Sequence, residues 1–410
     1  AMRQMVDNEL LDMDKLASLD VEALAYALGL LTHDYGEWFP VIPGIRARLW
    51  NAGHLLGSAS VELEVDQTGT APLRLLFSAD IGPDYKLMQA RPAGPSGVDY
   101  MMCESTYGDT DRGDVAPEER RTLLRDEVLA ATHPNGVLLI PSFAVERTQE
   151  LISDLGQLIA EGQLPRIPIH IDSPLATQAT RVFAHHAKSL PGGAALLAGL
   201  KSRDIHFTET VEQSMALDRV QGFHIVIAAS GMCDAGRIRH RLKNWLWRDE
   251  ATVLLVGFQA AGTLGRILQD GARSVRIQGE EYAVRARIRS FDLYSGHADG
   301  PELVAWVKAR LPLAHTLFLT HGEEEAIDGL AARLTGILPA AQITIPVLDE
   351  SFELGPNGAT RVEGPNLPRI TPEKIAHMDW HNDVSRLMLD INQALRDIPQ
   401  SVTVVTEKLI

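Results

Sequence analysis

The sequence predicts an α/β protein with more than one domain, and three observations support this prediction. The chain has 410 residues, which is more than one ordinary domain holds. Residues 41–78 are dominated by short runs typical of strands, some with alternating apolar and polar side chains. Residues 116–270 repeat the order strand, small-residue loop, helix, which is the pattern of parallel α/β units. We therefore expect a strand-rich first part followed by a parallel α/β part.

Composition narrows the class of protein. Hydrophobic residues make up 45% of the chain and charged residues 22%, as in ordinary soluble globular proteins. The formal net charge of −16 argues against a surface covered in phosphate-binding groups, but it is compatible with a local basic groove or a metal-centred site. No apolar run reaches the length of a membrane span, so we expect no membrane partner. Cys103 and Cys233 are too far apart for a C-x-x-C metal pair, and a reducing cytoplasm is the simplest setting.

The strand-rich part carries two glycine-flanked polar loops, and it follows a stretch of helical spacing at residues 5–31. His54 lies between two glycines in the first loop, and Asp80 precedes Gly82 in the second. Imidazole and carboxylate are both metal-ligand groups, and glycine lets the backbone turn sharply beside them. The alternative is a hydrogen-bonded loop histidine and an aspartate that forms a turn.

A third polar group follows the strand predicted at Val98–Cys103. This strand delivers Glu104, which precedes Ser-Thr-Tyr-Gly. A carboxylate at the end of a strand, followed by small polar residues, is a common layout of functional sites. A helix cap or a turn is the alternative interpretation.

The parallel part is predicted from strands and helices that alternate along the chain. Strands are predicted at 136–140, 168–171, 223–229 and 252–257, and helices at 117–132, 143–160, 174–187, 237–247 and up to 270. The loops at 230–236 and 258–265 lie between the carboxyl end of a strand and a helix, where phosphate binds well. No Walker loop and no G-x-G-x-x-G occurs, so nucleotide-cofactor binding is disfavoured.

The last third supplies two more histidines in polar loops. A hairpin is predicted over 275–288, and the loop at 290–299 then carries His297. A strand predicted at Thr316–Thr320 delivers His321. Both histidines lie beside glycine, where a metal ligand or a catalytic acid would stand.

The C-terminal tail shows no chemistry of its own. A linker is predicted at 356–368, a helix at 372–396 and a strand at 402–405. We expect the helix to dock on the body of the protein or to form a homodimer contact. His377 and His381 have i, i+4 spacing but no third ligand nearby in sequence, so a metal site there is disfavoured.

The ordered motifs of the chain resemble those of one family. The segments Asn51–Ala59 and Phe77–Gly82 resemble the third and fourth metal motifs of the metallo-β-lactamase superfamily, with Ala79 where glycine is more usual. The segments 103–108, 295–299 and 320–323 match motifs A, B and C of its β-CASP branch, and 141–150, 229–237 and 257–266 resemble the inserted domain of that branch. The chain is therefore similar, from about Trp38 to Pro346, to the RNA-processing nucleases related to the cleavage and polyadenylation endonuclease.

The resemblance implies a fold and a division into domains. The fold is a metallo-β-lactamase αββα sandwich, N-terminally incomplete, with an inserted parallel α/β β-CASP domain. Residues 1–115 and 286–355 would form the two parts of the metallo-β-lactamase domain, 116–285 the β-CASP domain, and 356–410 a linker and helical extension.

The resemblance also implies roles for individual residues. His54 would bind a first zinc ion, Asp80 would bridge two zinc ions and so take part in catalysis, and His321 would bind the second. His297 would protonate the leaving oxygen, oriented by Glu104 through a hydrogen bond. Phosphate and single-stranded RNA would contact Ser295, Ser230, Gly231, Arg237 and Arg266.

One motif of the family has no counterpart in this sequence. None of the fourteen histidines lies in an H-x-H-x-D-H cluster, which supplies further ligands to both metal ions in the family. Each ion would keep about two protein ligands, whereas zinc usually takes three or four. We therefore expect weak or no zinc occupancy and little hydrolysis by the chain as given.

The resemblance makes an RNA-directed zinc hydrolase the leading hypothesis. Two other functions compete with it. A non-catalytic family member, acting as a nucleic-acid-binding or scaffold partner, is favoured by the missing ligands. It is opposed by the joint presence of Glu104, His297 and His321 in their motifs. A small-molecule hydrolase such as a lactamase is disfavoured by the inserted α/β domain.

Overall fold

Two large β-sheets organise residues 32–113 and 115–362, which are the residues that the computed structural model describes. The strands are β1 (Trp38–Ile42), β2 (Ile45–Asn51), β3 (Ala59–Val65), β4 (Leu73–Phe77), β5 (Tyr100–Glu104), β6 (Val137–Pro141), β7 (Ile169–Asp172), β8 (Ile205–Phe207), β9 (His224–Ala228), β10 (Ala251–Leu255), β11 (Ser274–Ile277), β12 (Glu280–Ala283), β13 (Arg287–Ser290), β14 (Thr316–Thr320), β15 (Ile343–Thr344), β16 (Phe352–Gly355) and β17 (Gly358–Arg361). The helices are α1 (Pro117–Ala131), α2 (Arg147–Ala160), α3 (Pro174–His186), α4 (Gly193–Leu200), α5 (Val211–Ala216), α6 (Arg237–Trp245), α7 (Leu264–Gln269), α8 (Gly300–Lys308) and α9 (Glu324–Leu334). The elements predicted within 5–31 and 372–405, with His377 and His381, lie outside the described residues.

The first sheet is mixed, with seven strands in the order β1-β2-β3-β4-β5-β14-β15. Strands β1 to β4 pair antiparallel, and β4, β5, β14 and β15 pair parallel. Leu303 of α8 and Leu330 of α9 pack in one buried cluster with Leu76, Met101 and Leu317 from the sheet. This sheet therefore joins chain segments from both sides of the parallel part.

The second sheet is entirely parallel, with six strands in the order β13-β10-β6-β9-β7-β8. All residues of β6, β9 and β10 are buried, which explains their continuous apolar sequences. Leu151 of α2 packs in a cluster with Leu138 and Ile140 of the sheet, and Leu242 of α6 in another with Leu139 and Val253. The predicted parallel α/β part is thus present as one layered unit.

Several boundaries differ from the sequence predictions. The helix predicted from residue 143 begins at Arg147, because Glu146 has a φ of 69° and leaves residues 143–146 as a loop. The predicted hairpin over 275–288 ends at Ala283, and β13 then pairs parallel with β10, so the second sheet extends beyond the predicted boundary at residue 285. The linker predicted from residue 356 starts inside a hairpin, because β17 pairs with β16.

None of the helices in the described part of the chain is both long enough and apolar enough to cross a bilayer.

Candidate metal centre

Strand pairing brings three of the predicted site residues to one edge of the first sheet. Parallel pairing of β5 with β14 aligns Glu104 with Thr320, so His321 follows at the same edge. Asp80 lies three residues beyond β4, which pairs with β5 on its other side. The carboxyl ends of these parallel strands therefore carry the site.

The loop that contains His54 is tied to the same edge by backbone contacts. Gly53 forms an isolated antiparallel bridge with Ile81, and the Gly82 N–H donates to the Ala52 carbonyl at 2.8 Å. A Cβ added at Gly82 would lie 1.8 Å from the Gly53 oxygen, so only glycine fits there. Gly82 was predicted to permit a turn, and the structure shows that it permits a close approach to the backbone of Gly53.

Asp80 stands between two imidazoles. Its Oδ2 lies 3.8 Å from His54 Nε2, and its Oδ1 lies 3.3 Å from His321 Nδ1. The carboxylate side chain is 44% exposed and lines a cleft of about 410 Å³. Imidazole nitrogens and carboxylate oxygens are preferred ligands of zinc and related divalent cations. This donor set fits divalent metal, with one oxygen of the carboxylate facing each histidine.

The ring orientation and charge of His54 suit a metal ligand. Its Nδ1–H donates to the Gly296 carbonyl at 2.7 Å, which leaves Nε2 as the free lone pair facing Asp80. Burial, and then the neighbouring His297, lower the pKa of His54 to about 4, so the ring is neutral near pH 7. Hydrogen bonding of the second ring nitrogen is the usual way in which proteins orient a metal-binding histidine.

His297 is held by a buried carboxylate. Its Nδ1 lies 3.1 Å from Glu104 Oε1, and Glu104 also accepts the N–H groups of Ile81 at 2.7 Å and Thr106 at 3.1 Å. Burial raises the pKa of Glu104, but the hydrogen bonds from His297, Thr106 and Ile81 outweigh it, and the net pKa is lowered. Glu104 is therefore ionised, accepts the Nδ1–H of His297, and leaves the Nε2 of His297 free.

The residues predicted to contact phosphate are already engaged. Ser295 is fully buried, and its Oγ accepts the His297 N–H at 3.3 Å, so it shapes the turn that carries His297. Ser230 Oγ accepts the Ala235 N–H at 3.4 Å inside its own loop. Gly231 lies against Phe143, since a Cβ there would come within 2.8 Å of that ring.

The two predicted arginines make ion pairs. Arg237 Nη1 lies 3.0 Å from Asp172 Oδ1, and Arg266 Nε lies 3.0 Å from Asp270 Oδ1. The structure therefore does not bring them to the metal-binding edge as free cations. Their contact with RNA stays a prediction.

Sequence reasoning missed a group of cleft residues that the inserted part contributes. Phe143, Glu146, Met232 and Phe258 line the same cleft as His54. All four follow strands of the parallel sheet, in the loops where ligands of α/β proteins bind. The loops that hold Met232 and Phe258 are predicted to suit phosphate, but neither residue is singled out there, and Phe143 and Glu146 fall in a predicted helix.

A histidine–aspartate–histidine donor set at one edge of the sheet, beside a histidine held by a buried carboxylate, is the arrangement expected of a metal-dependent hydrolase. Residues 148–268 match the model of the Beta-Casp domain. Residues 281–346 match that of the "Zn-dependent metallo-hydrolase RNA specificity domain", which supports a metal cofactor.

Curated relatives agree with these matches. The chain is 34% identical over 321 residues to Ribonuclease TTHA0252 of Thermus thermophilus, covering 76% of this chain and 71% of the relative. It is 27% identical over 346 residues to transcription termination factor FttA of Methanosarcina mazei, covering 78% of this chain and 53% of the relative. It is 29% identical over 296 residues to an RNase J-like protein of Methanocaldococcus jannaschii, covering 71% of this chain and 66% of the relative.

The chain belongs to the β-CASP family of metallo-β-lactamase-fold nucleases. Its mixed sheet is the metallo-β-lactamase part, and its parallel α/β unit is the β-CASP insert.

Proposed function

We propose that this protein is a metal-dependent RNA phosphodiester hydrolase of the β-CASP type. The observation that carries the proposal is the Glu104–His297 pair next to the Asp80 carboxylate, because it places a proton donor beside a metal-binding group. Ligand atoms of His54, Asp80 and His297 all lie within 4.8 Å of one another. The names of the relatives, ribonuclease among them, support RNA as the substrate.

His54, Asp80 and His321 would hold the metal, which we propose to be zinc, with two ions in all. Bound metal supplies Lewis-acid polarisation of a phosphoryl oxygen and lowers the pKa of bound water. Three protein donors are few for two zinc ions, each of which usually takes three or four, so we expect weak occupancy and a need for excess metal.

His297 supplies the proton to the leaving oxygen through its free Nε2. Glu104 fixes the tautomer through Nδ1 and stabilises the imidazolium before the proton is transferred. Glu104 itself stays ionised, because two backbone N–H groups also donate to it. Loss of the His297 side chain should therefore largely abolish RNA cleavage but leave metal binding intact.

Cleavage of a 5′-labelled single-stranded RNA, with zinc or manganese in excess, tests the proposal. We expect slow cleavage that a chelator abolishes and that His297→Asn lowers by about 100-fold or more, as loss of a general acid does. His133→Asn, which changes an exposed histidine that does not line the cleft, is the matched control. Cleavage that survives both the chelator and His297→Asn would refute the proposal. RNA and metal binding without any cleavage would instead identify a non-catalytic partner.

We also propose a cytoplasmic location and a homodimer formed through the C-terminal tail. Light scattering of the chain with and without residues 363–410 tests the dimer, and an unchanged mass would refute the role of the tail.

A further inference from the structure

One wall of the cleft is apolar although it adjoins the metal-binding edge. Phe143 and Leu175 line the cleft together with His54 and His297, yet they are 41% and 60% exposed. Large apolar side chains that remain exposed inside a cleft favour a ligand with an apolar or aromatic face. A ligand bound in this cleft would meet an apolar surface beside the metal-binding edge.

Phe143 is held in a fixed position. The guanidinium of Arg147 lies over its ring at 4.8 Å from the centroid, and Arg147 is buried with its Nε donating to the Tyr294 carbonyl at 2.8 Å. The ring also lies so close to Gly231 that a Cβ there would be 2.8 Å from it. The ring is thus a rigid platform, backed by a cation and open to the cleft.

Phe258 supplies a second aromatic ring from the neighbouring strand. Strands β6 and β10 pair parallel, and Phe143 and Phe258 each follow one of them by two or three residues. The Phe258 ring meets Tyr107 edge to face at 5.4 Å, and the Tyr107 ring lies 6.5 Å from His297. The aromatic wall therefore reaches the side chain that we assign as the proton donor.

Charge does not offer an alternative source of affinity at this wall. The two cations that line the cleft are engaged, since Lys86 Nζ lies 3.1 Å from Glu150 Oε2, and Arg147 is buried and donates to the Tyr294 carbonyl. Phosphate contacts dominate affinity only where cations are free to make them. Aromatic faces stack on any base, provided that the base is not already stacked and paired in a duplex.

We propose that Phe143 and Phe258 form a stacking site for one unpaired nucleobase next to the scissile phosphate. The inference rests on the proposed function and deepens it, because it makes the selection of single-stranded RNA a property of this wall. A stacked base contributes about 1–3 kcal/mol, which corresponds to about 5- to 150-fold in affinity.

Binding of single-stranded oligoribonucleotides in the presence of a chelator tests the stacking site separately from cleavage. We expect Phe143→Ala to weaken binding by about 5- to 150-fold at fixed salt, and Phe143→Tyr to restore most of it. Phe143→Leu fills the space without an aromatic face and should resemble alanine. The matched control is Trp247→Ala, because Trp247 is 48% exposed and has an arginine over its ring at 4.7 Å, like Phe143.

A fluorescent base locates the stacked nucleotide. With 2-aminopurine placed at successive positions, we expect one position to be quenched by the wild type and by Phe143→Tyr but not by Phe143→Leu. An abasic nucleotide at that position should weaken binding to the wild type and not to Phe143→Leu. Equal binding and quenching by the tyrosine and leucine variants would overturn the stacking site alone. No RNA binding by the wild type would overturn the proposed function with it.

Discussion

Two non-glycine residues at the metal-binding edge adopt a backbone conformation that favours glycine. Ala79 has a φ of 49° and His321 a φ of 54°. A left-handed conformation costs an L-residue roughly 1–2 kcal/mol, because Cβ approaches the following carbonyl. At His321 this backbone conformation places an imidazole beside Asp80. At Ala79 the side chain is only a methyl group, so the conformation positions no donor there. The glycine that is usual at position 79 in the family is explained by this φ.

Replacing Ala79 by glycine should therefore stabilise the protein. We expect Ala79→Gly to raise the free energy of unfolding by up to about 1 kcal/mol, since the relieved strain exceeds the added entropy of the unfolded chain. Chemical denaturation of the wild type and the variant measures this difference in the free energy of unfolding. Ala71→Gly, at an exposed residue outside the left-handed region, should instead be neutral or slightly destabilising. A loss of stability in Ala79→Gly comparable to that of Ala71→Gly would contradict the strain at this position.

At the scale of elements, the start of α2 joins the two sheets through a buried cluster of charges. Lys86 follows β4 of the first sheet, and its Nζ lies 3.1 Å from Glu150 Oε2 and 3.8 Å from Glu146 Oε1. All three side chains are at most 3% exposed. Burial raises the pKa of Glu146, the charge of Lys86 lowers it, and repulsion from Glu150 raises it again. The net result is a pKa of about 7. One lysine thus serves two carboxylates, and Glu146 holds a proton up to neutral pH.

The raised pKa makes stability depend on pH in a stated direction. Between pH 4.5 and 7 the folded protein binds a proton at Glu146 that the unfolded chain has lost, so the stability contributed by this proton falls as pH rises. Relative to Glu146→Gln, which cannot ionise, the wild type should lose up to about 1.4 kcal/mol per pH unit in this range. Denaturation curves at pH 5, 6, 7 and 8 measure the difference.

The control for this pH dependence is Glu353→Gln, at an exposed carboxylate on β16. Its unfolding free energy should follow the wild type at every pH. A constant difference between wild type and Glu146→Gln from pH 5 to 8 would show that Glu146 titrates normally.

At the scale of the whole molecule, the sequence could predict the strand ends that meet but not the pairs that side chains form. The sequence predicts Asp80, Glu104 and His321 at strand ends, and parallel pairing of β4, β5 and β14 brings these ends to one edge. His54 follows β2, which pairs antiparallel, and it reaches the same edge through the bridge between Gly53 and Ile81. The pair of Arg237 with Asp172 spans 65 positions and depends on tertiary packing, so no sequence spacing reveals it.

The inserted part shows the same contrast between pattern and tertiary structure. The sequence predicts a helix that begins at Phe143, and glutamate at position 146 gives no sequence sign of a φ of 69°. The i, i+4 spacing of Arg266 and Asp270, by contrast, was readable as an ion pair. The cleft between the two sheets therefore became visible only with the fold.

Calorimetric titration of zinc into wild type and Asp80→Asn tests the central claim most directly, since Asn keeps the shape of the side chain and removes its charge. We expect weak binding by the wild type and at least a tenfold loss in Asp80→Asn, with no change in Asp66→Asn, an exposed aspartate outside the cleft. Equal zinc affinity in the wild type and Asp80→Asn would show that Asp80 is not the carboxylate at the centre of the site.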